Sequence, residues 1–469
     1  MNTNPIAENS SQLASALPAL DWITDSLKVS RLSQDFSWFS PVLKQALQGK
    51  RGDIAVRPRT EAEIAQVVAH CARRGVPITL RGSGTGNYGQ STPLHGGLIL
   101  DLSGYNSLCW VRGSVGRAQA GIRLADFDQL AREQGQELRW LPSTYRSATL
   151  GGLFGGGFGG AGSITYGPLA SAGNVLAARV MTVEAEPRIL ELRGADAMRL
   201  HHTYGTTGIV LELEVALADA TNWTECIATF TGFDEALGFA QQLGNAPGIR
   251  KKELSLMAAP VPAYFTSLAE HLPPGCHAVI ALVAPEGEEA MQLLLERHGG
   301  TLSYCERGRW SAQPAAGYKS LIEYCWNHTT LHALKVDREL TYLQTGYNPA
   351  RFGEQLKALR SELGDEVLFH LEFLRTKEGL FNCSGLELVR FSSAERLDAI
   401  MNLYRKHGVQ INNPHVYVVE DGKANNQLDP ALLQTKADLD PLNLLNPGKL
   451  RSATLPACIQ PAPVADALQ

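Results

Sequence analysis

No stretch of this 469-residue chain approaches the ~18 consecutive apolar residues of a membrane-spanning helix. The first twenty residues carry no basic cluster and include Glu8, which argues against a secretory leader. Excess charge of one sign is also missing: 42 Lys and Arg stand against 47 Asp and Glu, a net charge of −5. Nothing in that balance attracts nucleic acid or an anionic membrane surface. The eight cysteines, Cys71, Cys109, Cys226, Cys276, Cys305, Cys325, Cys383 and Cys458, never form a C-x-x-C pair. The spacing of a zinc site or an iron–sulfur cluster is therefore lacking. Single scattered cysteines fit a reducing compartment, so the expected location is cytoplasmic, without a membrane span and without a metal.

Apolar residues at 44% and charged residues at 19% describe a globular protein. Glycine is concentrated between residues 75 and 167 and thins out after about residue 220, where helical periodicity takes over. This shift suggests a ligand-binding domain followed by a different one. In the first part, residues 54–57 read as a strand. Thr60 and Glu63 then form a capping box for a helix with Ile64, Val67, Val68 and Cys71 on one face, ended by Gly75. Strands are expected at 76–80, 98–102, 175–183 and 208–217, and a helix near 125–134. The second part has helical patterns near 233–243, 287–298 and 393–407. Strand-like runs lie at 277–284, 367–375, 380–389 and 415–419. The fold class expected is α+β in two domains, with no repeat of 20–50 residues.

Two glycine-rich segments carry the functional signal. Residues 81–90, RGSGTGNYGQ, contain G-x-G-x-x-G after a strand, but Pro93, Gly96 and Gly97 forbid the helix that a dinucleotide fingerprint requires. No G-K-[ST] follows. A strand–loop–strand of this kind leaves a run of amides able to face an anion such as a diphosphate, the alternative being a flexible surface loop. Residues 149–162, TLGGLFGGGFGGAG, interleave Leu150, Leu153, Phe154 and Phe158 among glycines. A linker would favour serine and charge; this composition suggests a packed loop that lets a large ligand approach the backbone.

In RGSGTGNYGQSTPLHGGLILDLSGYN, LPSTYRSATLGGLFGGGFGGAGSITYG, GTTGIVLELEVAL and LDPLNLLNPGKL, taken in order, the chain resembles the vanillyl-alcohol oxidase superfamily, whose FAD-binding domain is called the PCMH type. The closest subgroup is that of the glycolate- and D-lactate-dehydrogenase-like FAD-linked enzymes. The resemblance implies an N-terminal segment over 1–49, an FAD-binding domain over 50–220, a cap or substrate domain over 221–430, a return to the FAD domain over 431–450 and a poorly ordered Ala/Pro-rich tail over 451–469. It implies FAD held by Arg81, Gly82, Ser83, Gly84, Thr85, Gly86, Asn87 and Gln90 of the first segment. Pro142, Thr149, Gly151, Gly152, Gly159 and Gly160 of the second segment, with Ile209 and Asn446, complete the implied set. Thr85 stands where members with covalently bound flavin place a histidine, so non-covalent FAD is expected. The H-x-G-D-G-N-x-H run often found in this subgroup is missing; the nearest segment is FHLEFL at 369–374.

The implied chemistry is oxidation of an alcohol-type substrate, with a 2-hydroxy acid among the candidates, by hydride transfer to flavin N5 and reoxidation by an unknown acceptor. Alternatives are a sugar or aromatic-alcohol oxidase of the same fold, or a non-catalytic flavin-binding subunit. Such a reaction needs a base for the hydroxyl proton, for which histidine suits neutral pH. An acid substrate also needs a cation for its carboxylate. Three cap histidines qualify. His328 shares a helical face with His332 and Lys335. His370 would share a strand face with Glu372. His415, paired with Tyr417 on a strand after Asn412, Asn413 and Pro414, has the best position in the chain. Each also has a plainer reading, as a paired core residue or, for His370 and Glu372, a solvated strand face. His201 and His202 read as structural.

Overall fold

A computed structural model of the protein describes residues 5–307, 319–423, 427–456 and 459. The Ala/Pro-rich tail expected to be poorly ordered lies, from residue 457 and apart from residue 459, outside the described residues. The architecture is α+β. A four-stranded sheet runs in the order Trp22–Ile23, Ile54–Val56, Leu98–Asp101, Ile78–Arg81. Its last three strands are parallel, which requires crossovers. The helix Glu61–Arg74 makes one of them. It buries Ile64, Val67, Val68 and Cys71 against the sheet. Thr60 accepts the Glu63 amide at 3.2 Å, and Gly75 ends the helix at φ +64°. The Thr60 cap and the left-handed stop read from sequence are both present, while the Glu63 carboxylate accepts the Arg59 amide at 2.6 Å in place of the Thr60 amide that a full capping box would use.

A second sheet is built on the long strand Ile209–Asp219, which pairs with Val115–Gln119 on one side and Val175–Met181 on the other. Leu211, Leu213 and Leu217 of this strand are buried, while Glu212 and Glu214 meet Arg117. The alternation of apolar and acidic residues thus separates a core face from an ion-paired one.

The remaining large sheet has eight strands, all antiparallel, from Thr301–Glu306 at one edge through Thr224–Phe230, His277–Val283, Lys251–Met257, His370–Arg375, Phe381–Gly385 and Thr345–Gly346 to Gln410–Ile411. The helices Phe233–Asn245, Glu288–Arg297, Phe352–Leu363 and Ala394–Lys406 bury Phe239, Leu295, Leu356 and Tyr404 in its core. Each such side chain contributes roughly 1.5–3 kcal/mol by leaving water. Lys252 of this sheet donates to Glu137 at 2.7 Å, with both side chains buried. Trp223 also donates its indole N–H to Glu137. This buried knot joins the larger sheet to the N-terminal half.

Three expectations of local structure are corrected. The glycine-dominated segment after Thr149 is not a loop but a short helix, Leu150–Gly156. Thr149 caps it by accepting the Gly152 amide, and Leu150, Leu153 and Phe154 anchor it in the core, so packing outweighs poor helix propensity. The runs 367–375 and 380–389 each divide between two sheets. Val367–Leu368 and Leu388–Arg390 join Leu340–Tyr342 in a three-stranded sheet, while His370–Arg375 and Phe381–Gly385 enter the larger one. Residues 415–419 form turns and bends, not a strand. Pro414 offers no N–H to a ladder, and Asn413 Oδ1 accepts the His415 amide at 3.0 Å, closing an Asx turn.

Candidate functional site: a cleft between the glycine segments and the cap

The first glycine loop leaves the end of Ile78–Arg81 with its backbone held from behind. Arg81 donates to the carbonyls of Leu32, Gln34 and Ser83 and to Ser91 Oγ. Its guanidinium therefore fastens the loop and the N-terminal segment together. A side chain at Gly84, which sits at φ +68°, would place its Cβ 2.1 Å from that guanidinium. Gly82 and Gly86 are equally constrained, by Thr149 Oγ1 at 2.1 Å and Gln90 Oε1 at 1.7 Å. The result is a bare backbone. Among the described residues, the amides of Ser83 to Asn87 find no acceptor within the protein.

The same residues, Ser83 to Asn87, line a cavity of about 820 Å³. The first loop and the helix Leu150–Gly156 form one wall. Trp326, Asn327, His328, Lys377, Asn412 and Lys423 of the cap form part of the other. Two bonds tie the walls together: Asn327 Nδ2 to Asn87 Oδ1 at 3.2 Å, and the Tyr88 hydroxyl to Gln344 Oε1 at 2.7 Å. The size is that of a cofactor or substrate pocket. The lining includes buried polar atoms with no protein partner, namely Gln90 Oε1, His201 Nε2 and His202 Nδ1. Unmatched amides and unmatched buried side-chain atoms in one elongated cleft fit a large, polar, anionic ligand such as FAD.

Most of the residues that the resemblance implies for FAD lie on this cleft: Arg81, Gly82, Ser83, Gly84, Thr85, Gly86, Asn87, Gln90, Pro142, Thr149, Gly151, Gly152 and Gly159. Three do not line it. A Cβ on Gly160 would lie 2.4 Å from the Leu141 carbonyl oxygen, so this glycine serves the pairing of Leu141 with Ala161 behind the wall. Ile209 is buried in the core of the four-stranded sheet and its helix. Asn446 is buried, and its Nδ2 donates to the carbonyls of Gln90 (2.7 Å) and Tyr204 (2.8 Å). It braces two cleft-lining segments without lining the cleft.

The cap histidines separate clearly. His328 lines the cavity, and burial pulls its pKa down to about 4, so the imidazole is neutral near pH 7. His370 is fully buried and does not line the cavity; its Nε2 lies 2.7 Å from Glu372. The solvated strand face suggested by the alternation is thus a closed interior, because helices cover this sheet. Glu372 is pushed up to about 7 by burial. It accepts the Trp326 amide at 2.5 Å, while Glu253 accepts the Trp326 indole N–H at 3.0 Å. Two buried carboxyl groups therefore hold Trp326, a residue of the cavity lining, at φ +52°, a region costly for a large side chain. His415 does not line the cavity. Its Nδ1 pairs with Ser40 Oγ at 2.8 Å and its Nε2 with the Tyr342 carbonyl at 2.9 Å. Both ring nitrogens are occupied.

Sequence reasoning missed His201 and His202, which reach the cavity from a loop where His202 and Tyr204 have positive φ. Burial depresses both imidazoles, His201 to about 4. It also missed Lys377 and Lys423. Burial lowers the Lys423 pKa, and the nearby charge of Lys377 lowers it further. Neither lysine sits in a motif; only the fold brings them to the cleft.

A model described as "FAD binding domain" matches residues 52–192. An uncharacterized FAD-linked oxidoreductase of Mycobacterium tuberculosis is 28% identical over 211 residues, 42% of this chain and 45% of that one. That match spans less than half the length of the relative. Glycolate oxidase subunit GlcD of Bacillus subtilis is 24% identical over 430 residues, 85% of this chain and 88% of that one. A solved structure of alkyldihydroxyacetonephosphate synthase superposes with a TM-score of 0.69 at 15% identity, covering 93% of this chain and 85% of that one. Among the described residues, no helix is long and apolar enough to cross a membrane. Residues 52–192 therefore form an FAD-binding domain, in a chain that shares the fold of alkyldihydroxyacetonephosphate synthase.

Proposed function

We propose that this protein is an FAD-dependent oxidoreductase that oxidises an alcohol-type small molecule, a 2-hydroxy acid, and holds its FAD without a covalent bond. The observation that carries this reading is the shared cleft: bare loop amides on one wall and a neutral histidine with two lysines on the other. When bound, FAD supplies the hydride acceptor. The amides of Ser83 to Asn87 would hold its diphosphate, and Gln90 would offer its free Oε1. Thr85 lines the cleft where a covalent link would need a histidine.

The chain's own residues divide the remaining work. Lys423 and Lys377 neutralise the substrate carboxylate; the depressed pKa of Lys423 marks a cation that an arriving anion stabilises. His328 accepts the hydroxyl proton. A carboxylate in the same cleft raises the pKa of this desolvated imidazole back towards neutrality, which makes it a better base only when substrate is present. Trp326 shields this end of the cleft from water. Two relatives named glycolate oxidase subunit and D-lactate dehydrogenase fit the same substrate class.

The test is turnover of the purified yellow protein with a dye acceptor, using short and long 2-hydroxy acids beside sugars and aromatic alcohols. Acids should reduce the dye, and Lys423→Ala should raise KM for them at least several-fold. Turnover of uncharged alcohols alone would replace this reading with an alcohol or sugar oxidase, and flavin without turnover of any donor would leave a binding subunit. Acid precipitation should release free FAD; flavin that stays with the pellet would overturn the non-covalent assignment.

A further inference from the structure

Outside the residues that line the cleft, where the edge strand of the eight-stranded sheet meets its neighbour, Cys226 of Thr224–Phe230 stands directly opposite Cys305 of Thr301–Glu306 in the antiparallel register. The two sulfurs are 3.8 Å apart, and the Cys226 thiol donates to the Cys305 sulfur. Cys226 is buried; Cys305 is exposed. We propose that these two cysteines form an oxidation site at which a hydroperoxide converts the facing thiols into an intrachain disulfide.

The backbone is already suited to the bond. Residues directly opposite in an antiparallel pair have Cα atoms about 4.5–5.5 Å apart, inside the roughly 4.4–6.8 Å that disulfides span. Closing 3.8 Å to a bond of about 2.05 Å needs a small approach of one strand. The strand that has to move is the edge strand, and the pairing has a register shift beside the site, between Ile227 and Ala228. The reactivity is asymmetric in a useful way. The hydrogen bond from Cys226 draws the Cys305 thiol down to about 7, and the Arg307 charge acts in the same direction. Cys109, the other exposed cysteine among the described residues, is instead pushed up by desolvation. The nucleophilic thiolate is therefore the one that solvent can reach, with a second thiol in contact behind it.

In the first step the Cys305 thiolate attacks the terminal peroxide oxygen. The O–O bond breaks, an S–O bond forms, and the alkoxide leaves as an alcohol after taking a proton from water. In the second step the Cys226 sulfur attacks the sulfenic sulfur. The S–S bond forms, the S–O bond breaks, and hydroxide leaves as water with the Cys226 proton. Overall, two thiols and one hydroperoxide give one disulfide, one alcohol and one water, the thiols losing two electrons to the peroxide.

Full-length, FAD-loaded protein is exposed to tert-butyl hydroperoxide near neutral pH, quenched with N-ethylmaleimide, digested without reduction and mapped by mass spectrometry. The expected result is a cross-linked peptide pair containing Cys226 and Cys305, reversed by dithiothreitol, while Cys109 remains alkylated. Cys226→Ser should leave Cys305 as a sulfenic acid that dimedone captures, and Cys305→Ser should leave Cys226 alkylated. The rate should fall as pH drops below about 7. Cys226 fully alkylated in oxidised wild-type protein, Cys109 oxidised as fast as Cys305, or a cross-link found only between two chains would each overturn the proposal. The wild-type map stands alone if either variant folds poorly.

Discussion

Asn327 donates its side-chain amide to Asn87 at 3.2 Å, and this one bond connects the first residue of the helix Asn327–Val336 to the loop of bare amides. The next residue of that helix is His328. The candidate base is thus placed relative to the first glycine loop through its chain neighbour.

His328→Ala should keep its FAD and slow substrate-dependent flavin reduction by about 10²–10⁴-fold, the usual contribution of a general base. Anaerobic stopped-flow measures this. The acid limb of kcat/KM should lie near pH 4, below the ordinary histidine value, because burial lowers the free-enzyme pKa to about 4 and the imidazole acts in its neutral form. An acid limb near 6.5 in the free enzyme would point to a different, solvated group.

His415→Ala should behave in the opposite way. It removes two buried hydrogen bonds, to Ser40 and to the Tyr342 carbonyl. A loss of about 1–3 kcal/mol in unfolding free energy is expected, with flavin reduction in the loaded protein within a few-fold of wild type. Urea titration beside stopped-flow separates these. A reduction rate lowered as far as in His328→Ala would return His415 to the chemistry.

Gly84→Val should give folded protein with little FAD. The new Cβ, within 2.1 Å of the Arg81 guanidinium, pushes that side chain off the Leu32 and Gln34 carbonyls and deforms the loop. The ratio of flavin to protein absorbance reports occupancy, and circular dichroism reports folding. Full occupancy in the variant would remove the first loop from the binding site.

Glu387 offers a pH test of the cap's interior. It is fully buried, accepts hydrogen bonds from Tyr347 and Thr345, and burial pushes its pKa up to about 7. A carboxyl raised from about 4.5 to about 7 on folding binds more protons in the folded state between those values. Its contribution is complete below pH 4.5 and is lost as pH rises through 7. Glu387→Gln removes that dependence. The stability of the variant relative to wild type should therefore improve between pH 5 and pH 8, by up to something on the order of 3 kcal/mol at ~1.36 kcal/mol per pH unit. A stability difference that is flat with pH would show that the carboxyl is ionised throughout.

Where local chemistry decides conformation, the sequence was legible. Thr60, Glu63 and Gly75 bound a helix as their side chains and backbone require, and Pro93 with Gly96 and Gly97 excludes a helix after the first loop. Where long-range packing decides, it was not. Eight glycines in residues 149–162 hide a helical turn that Leu150, Leu153 and Phe154 stabilise by burial; the threonine cap was the one readable sign. The alternation around His370 and Glu372 indicates two faces but cannot say that helices cover both. His415 was placed by chain order, yet its partner Ser40 lies 375 residues away. Lys377, Lys423, His201 and His202 carry no spacing signal because three separate segments deliver them to one cleft.

The return segment has a consequence for the order of events during synthesis. Ile78 donates to the Leu444 carbonyl and accepts from the Asn446 amide, so residues 444–446 complete the edge of a sheet begun hundreds of residues earlier. Asn446 then braces Gln90 and Tyr204, and buried Lys449 donates to the Gly89 carbonyl at 2.5 Å. A chain synthesised only as far as residue 443 has both glycine segments but none of these braces. The first glycine loop is therefore not fully braced until residues 444–449 have been made, so a segment 356 residues downstream of Gln90 finishes the fold that Gln90 belongs to.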